Sequence, residues 1–248
     1  MGPARLGSPA ARHLGVVLVV SVVLVAAAAC GGDGDDTGAA AGAAVAGAGP
    51  TTATATAEEL ADLDLTPALL RARDFPDPEA VEPILVGADF GAVGPGQRIK
   101  VCGQAIRADV GADRGRFSQF RVDRYAITQT VTALPEPQAT ALGQRFAALG
   151  RTCTEPWTQP DPNGGEITRR IVGPVPLPDL GADAAAYLVR AENRLGRDDS
   201  ILLMVVDGPY VSTLTVTGPV DDRFELVESL ELALAERLRA LPAPAGEA

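Results

Sequence analysis

Histidine is almost absent from this chain: His13 is the only one in 248 residues, and it lies in a segment expected to be removed. Without an imidazole base, Ser-His-Asp and Cys-His catalysis are excluded. Lysine is as scarce. Lys100 stands alone with no serine near it in sequence, so a Ser-Lys pair has no support. Aromatic residues make up 4% of the chain, few for the ring platforms of a sugar cleft. The acids are many, but no spacing singles out a catalytic carboxylate pair. The glycine-rich stretch Gly91–Gly96 has neither the Gly-Lys-Ser/Thr ending nor the strand–turn–helix context of a phosphate loop, and reads as a plain loop. No cofactor and no metal site is expected. Positive charge is in deficit too: 21 Lys and Arg stand against 32 Asp and Glu, a net charge of −11, which disfavours nucleic acid and anionic headgroups as partners.

Long apolar runs are missing with one exception. Val16–Ala29 follows a short basic start carrying Arg5 and Arg12 and ends in Ala27-Ala28-Ala29-Cys30. It falls short of the roughly 20 apolar residues that cross a bilayer, and its last four residues are alanines. Charged start, apolar middle, small residues and then cysteine form the layout of a cleaved signal. Residues 1–29 are therefore expected to be a bacterial lipoprotein signal peptide, and Cys30 the lipidated first residue. Lipoproteins of this kind carry a diacylglyceryl group, often with a further acyl chain such as palmitate, and two or more chains anchor stably where one does not. The first expected partner is thus a membrane, on its extracytoplasmic face. Loss of Arg5 and Arg12 takes the formal charge from −11 to −13.

Three cysteines occur. With Cys30 carrying lipid, Cys102 and Cys153 remain, and two cysteines in an oxidising exterior normally pair. A reactive thiol pair or a metal site would need a CxxC spacing or a histidine that the mature chain lacks.

Residues 30–58 read as a disordered Ala/Gly/Thr tether without apolar periodicity. Asp33, Asp35 and Asp36 lack further ligands for a cation there, and the threonines at 51–55 are open to glycosylation. Residues 59–241 are expected to form one domain and 242–248 a frayed tail. Leu65-Thr66-Pro67 should open a short helix, with Thr66 as cap, that ends near Asp74-Phe75-Pro76. A short strand is expected at Ile84–Val86 and a longer extended stretch at Phe117–Val131, with Tyr125, Ile127, Gln129, Val131 and Ala133 sharing one face. Ala139, Leu142, Phe146, Leu149 and Cys153 recur at helical spacing, which puts Cys153 on the buried stripe and weakens only at Gly150. Further strands are expected at Ile167–Val172, Ala186–Glu192 and Ile201–Val206, the last a continuous apolar run covered on both faces. Asp207-Gly208 is a hairpin signal, Tyr210–Thr217 the return strand. A final helix should start near Asp221 with Phe224, Val227, Leu230, Leu234, Leu238 and Leu241 as its apolar stripe. Hairpins in place of βαβ crossovers predict an α+β fold: an antiparallel sheet with helices packed on one face, braced by a single disulfide.

Other candidates for chemistry are weak. Asp161-Pro-Asn-Gly-Gly-Glu166 reads as a turn before it reads as a calcium loop. Arg121, Arg124, Arg169 and Arg170 could face an anionic ligand or form a solvated face. Trp157 reads as a core or hairpin residue before a ligand platform.

Leu65-Thr-Pro-Ala-Leu-Leu70, Val101-Cys102, Ile127-Thr-Gln-Thr-Val131 leading into the helix that ends at Cys153, Leu180-Gly181-Ala-Asp183-Ala, and Ser200–Val206 with the final helix together make a pattern of order and spacing. In it the chain resembles the PknH-like extracellular sensor-domain family of actinobacterial lipoproteins. The resemblance implies an antiparallel sheet with packed helices, internal disulfides and a cleft for an unknown ligand, with no catalytic residues to carry over. The expected function is a non-enzymatic, membrane-anchored extracytoplasmic domain that binds a ligand or partner at the cell envelope. A carrier of lipid or another hydrophobic molecule would instead need an apolar cavity, and a carboxylate-dependent envelope hydrolase two facing acids.

Overall fold

The computed structural model describes residues 55–56, 58–89, 100–105, 115–161, 164–179, 183–219 and 223–243. The expected signal peptide, Cys30, most of the tether, the Gly91–Gly96 loop and most of the tail lie outside them. Within them eight strands form one sheet: β1 (Val81–Asp89), β4 (Gly115–Val122), β5 (Tyr125–Ala133), β6 (Trp157–Pro160), β7 (Glu166–Pro174), β8 (Asp183–Asn193), β9 (Gly196–Asp207) and β10 (Tyr210–Thr217). A separate two-stranded hairpin joins β2 (Lys100–Val101) to β3 (Gln104–Ala105). The large sheet runs β1-β4-β5-β10-β9-β8-β7-β6, and every neighbouring pair is antiparallel. The stretch expected to be extended from Phe117 to Val131 is two strands. Asp123 turns the chain in the left-handed region at φ 51°, which short polar side chains tolerate.

Helices lie on both faces of this sheet, which corrects the expectation of one. Helix α3 (Arg223–Arg239) crosses β9 and β10. It buries Val227, Leu230, Leu234 and Leu238 against Ile127, Ile201, Leu203, Val205, Leu214 and Val216, together with Leu65, Leu69 and Leu70. The opposite face carries α1 (Glu136–Ala147) and the short α2 (Leu149–Thr152). Ala139, Leu142, Phe146 and Leu149 pack there on Val189, Leu202, Met204, Val206 and Val211. The physical reason is the period of two along β9: odd residues from Ile201 feed one core and even residues from Leu202 the other. A strand apolar at every position must be covered twice.

The predicted stripes otherwise match. Tyr125, Ile127, Gln129, Val131 and Ala133 are all buried, and Cys153 lies in the core beneath α1 and α2. Phe224, expected on the stripe of α3, is 45% exposed; Leu226 takes the buried position one turn into the helix. The helix expected from Thr66 is two 3-10 turns, Thr66–Ala68 and Ala72–Asp74. Thr66 does not cap it; its N–H instead donates to Asp64 Oδ1 at 2.9 Å. Ala55, read as tether, is buried in the core of the α3 face.

Polar side chains pin these N-terminal turns to the sheet. Gln129 is fully buried. Its Oε1 accepts from the Leu70 N–H at 2.7 Å, and its Nε2 donates to the Ala68 carbonyl at 3.0 Å and to Ser212 Oγ at 3.3 Å. Arg237 on α3 grips the same segment, donating through Nε and Nη2 to Asp74, both at 2.8 Å, and through Nη1 to the Pro67 carbonyl at 3.0 Å. Replacing Gln129 with leucine orphans a buried N–H and a buried carbonyl, at about 1–3 kcal/mol each. The added apolar burial offsets part of this, so chemical denaturation of Q129L should show a loss of about 2 kcal/mol. An unchanged midpoint would mean that the turns are held by packing alone.

The second face is clamped covalently. Cys102 and Gly103 form the two-residue turn of the β2–β3 hairpin, both at positive φ (52° and 75°), as tight hairpins prefer. Cys102 is bonded to Cys153 at the end of α2, with Cα atoms 5.8 Å apart and a sequence separation of 51. This lays Val101 into the α1 core. The two edges of the sheet are both irregular. Strand β1 carries Pro83 and two register breaks, and β6 is four residues long and ends at Pro160.

Candidate functional site

At one end of the sheet the β4–β5 turn, the start of β9 and the exit of β10 converge. They border an open cleft of about 480 Å3 lined by Arg124, Arg197, Asp198, Asp199, Gly218 and Pro219. Its floor requires glycine. A Cβ at Gly218 would lie 2.6 Å from Tyr125 Cδ1 and 2.9 Å from the Arg124 carbonyl, and φ there is 149°, so no side chain can rise into the cleft from that position.

Asp199 is the rigid member of the set. It is buried and receives Arg190 Nε at 2.9 Å and Arg197 Nη2 at 2.9 Å. Burial works against its ionisation, yet the hydrogen bonds and charges of Arg190 and Arg197 outweigh it and hold the carboxyl down at about 2. Asp199 thus stays charged and fixes Arg197 at the rim. Asp198, the next residue along β9, points to the other face and is exposed.

On that other face Asp198 also lines a smaller recess of about 130 Å3, with Arg169, Ala191, Asn193, Ser200 and Thr217 on its walls. The recess sits beyond the part of the sheet that α1 and α2 cover. Beneath α1 itself a third recess, of about 180 Å3, is lined by Gly143, Gln144, Phe146, Asp183 and Met204 among others.

Of the arginines singled out in the sequence, the structure brings Arg124 to the large cleft and Arg169 to the small one. Arg121 is drawn off to Glu82 in an exposed pair at 3.1 Å. Arg170, adjacent to Arg169 on a strand, faces the opposite side, paired across the strands with Arg190. Trp157 is half-buried against the α1 core. Asp161 is the start of a turn: its carbonyl accepts from the Gly164 N–H at 2.9 Å and its side chain from Asn193 Nδ2 at 2.8 Å. Asp198, Asp199 and Arg197 were not found from sequence, because their meeting with Arg124 depends on which strands pair and no local motif marks it. Lys100 lies in β2. Among the described residues no three His, Cys, Asp or Glu side chains are placed to hold a metal ion, and no helix is long and apolar enough to cross a membrane.

No protein-family model matches the sequence, and no curated protein matches it. Among solved structures, the fold is weakly similar to the extracellular domain of PknH from Mycobacterium tuberculosis, with a TM-score of 0.38 and 13% identity over 50% of this chain; the match spans 64% of that domain's length.

Proposed function

We propose that this protein is a non-enzymatic binding domain, tied through lipid on Cys30 to the extracytoplasmic face of the cell membrane, whose polar cleft takes a ligand or partner at the cell envelope. The observation that carries the reading is the cleft bounded by Arg124, Arg197 and Asp198. Its volume falls within the roughly 300–1,000 Å3 usual for small-molecule sites, and it carries charges of both signs, with Arg197 held by Asp199. A disulfide across the fold suits an oxidising compartment. The signal-like start and Cys30 support export and anchoring. The non-enzymatic part rests on the lack of histidine after cleavage. The apolar-carrier reading has less support, since the recess under α1, at about 180 Å3, is below the size of a typical ligand pocket.

The test is native mass spectrometry of the mature chain after exposure to envelope extract. The expected result is a retained molecule or protein that is lost in Asp198→Arg, a change at an exposed residue that reverses the charge this residue brings to both recesses while leaving the Asp199 network in place. No bound species in either protein would overturn the reading. Incorporation of labelled palmitate that disappears in Cys30→Ala is the matching test of the anchor.

A further inference from the structure

Three strands place an arginine, an alanine and an aspartate in one row. Arg169 on β7 is paired with Ala191 on β8, and Ala191 with Asp198 on β9. Directly opposed residues of antiparallel strands share a face, and neighbouring strands lie about 4.8 Å apart. A cation and an anion therefore face each other over the short side chain of an alanine, with their backbones about 10 Å apart. The alanine leaves the recess of about 130 Å3 between them, and Ser200, Thr217 and Asn193 add hydroxyl and amide groups to its walls.

The fold leaves one donor of this arginine unanswered. Arg169 Nε is buried and has no hydrogen-bond partner, and the same holds for Trp157 Nε1, on the residue paired with Arg169 across β6 and β7. Buried donors left unpaired are rare and costly, at about 1–3 kcal/mol each. Here two stand side by side on one face, both needing an acceptor. Burial pulls the Arg169 guanidinium below its ordinary value, while the charges of Asp161 and Asp198 push it back up. Asp198 is exposed, within reach of anything seated on Arg169.

We infer that this recess is a subsite for the α-amino carboxylate group of an amino acid, with the carboxylate on Arg169 and the ammonium on Asp198. The inference rests on the binding reading above and gives the chemistry of one part of it. A carboxylate pairs with the positive charge of the Arg169 guanidinium at the wall of the recess, and charge-assisted bonds of this kind are among the stronger ones. The ammonium answers the carboxylate on the far wall. A phosphate dianion would meet Asp198 as a like charge, and a simple ammonium would leave the arginine unanswered. The small volume admits the head group and leaves the rest of the ligand outside the recess.

The test is calorimetric titration of the mature chain with glycine, L-alanine and D-alanine, against acetate, methylammonium and inorganic phosphate as single-charge probes. Saturable binding of at least one amino acid is expected, with acetate weaker and methylammonium and phosphate undetected. Arg169→Gln and Asp198→Asn should each weaken amino-acid binding by about tenfold or more, the scale of one charge-assisted bond. Asp198→Asn should in addition leave the amino acid no better than acetate. Asp198 is exposed, so this variant reports even where Arg169→Gln disturbs the sheet. Absence of saturable amino-acid binding, phosphate binding tighter than amino-acid binding, or affinity unchanged in both variants would overturn the inference. An envelope ligand captured by the native chain and lost in Asp198→Arg, with no amino acid bound, would remove this subsite and leave the proposed function standing.

Discussion

Replacing Glu231 with leucine stabilises the protein, and the gain grows by about 3 kcal/mol as pH rises from 4.5 to 7. Glu231 lies in α3 with no exposed surface, and neither side-chain oxygen has a hydrogen-bond partner. Burial, with a smaller contribution from the nearby charge of Glu228, pushes its carboxyl up from 4.5 to about 7. Between these values the folded protein keeps a proton that the unfolded chain has released. The contribution of this position to stability is therefore most favourable below pH 4.5, falls as pH rises through this window, and bears the whole penalty above pH 7. At about 1.4 kcal/mol per pH unit the window is worth about 3 kcal/mol. Leucine has similar bulk and no charge to bury, so the pH dependence from this position vanishes with it. Urea denaturation of native protein and E231L on either side of the window measures the difference. A gap between the two proteins that stays constant with pH would refute the assignment.

Removing the Cys102–Cys153 bond has the larger effect at neutral pH. It closes a loop of 51 residues, and the loss of that constraint on the unfolded chain corresponds to about 4 kcal/mol. That is a large fraction of the roughly 5–15 kcal/mol by which domains are stable. The paired variant C102S/C153S should unfold at a much lower denaturant concentration. Protection of amide hydrogens should fall first in the β2–β3 hairpin, whose hold on the α1 core among the described residues is the bond itself and Val101. An unchanged midpoint under reducing conditions, with free thiols verified, would show that the hairpin is held without the bond.

These two sites differ in how they can be read before the fold is known. The cystine was legible because two thiols in a chain whose start reads as an export signal leave little choice, and because Cys153 falls on the stripe of Ala139, Leu142, Phe146 and Leu149. The alternation from Tyr125 to Ala133 was legible for the same kind of reason: a local period fixes a face. Helices on one face were expected although Ile201–Val206 is apolar at every position. That run already demanded two covers, and the structure supplies them with α1 and α3. The turn at Asp123 was missed because no glycine marks it; aspartate takes the left-handed conformation in its place. Phe224 was misplaced because a helical stripe continues in sequence beyond the point where the sheet beneath it ends. The cleft was hardest to see. Arg124, Asp198 and Gly218 come from three separate segments, and Arg169, Ala191 and Asp198 from three strands. Only the register brings them together, and register is set by the whole sheet. Glu231 gave no signal beyond being one acid among the apolar residues of a helix.

The irregular borders of the sheet bear on how many copies can share a small area. A straight border offers its free N–H and C=O groups to the next molecule, and crowding turns that offer into fibres. Here a proline with two register breaks interrupts one border, and the other stops after four residues at a second proline. Between molecules packed shoulder to shoulder, these interruptions shorten the stretch along which a neighbour's backbone can zip.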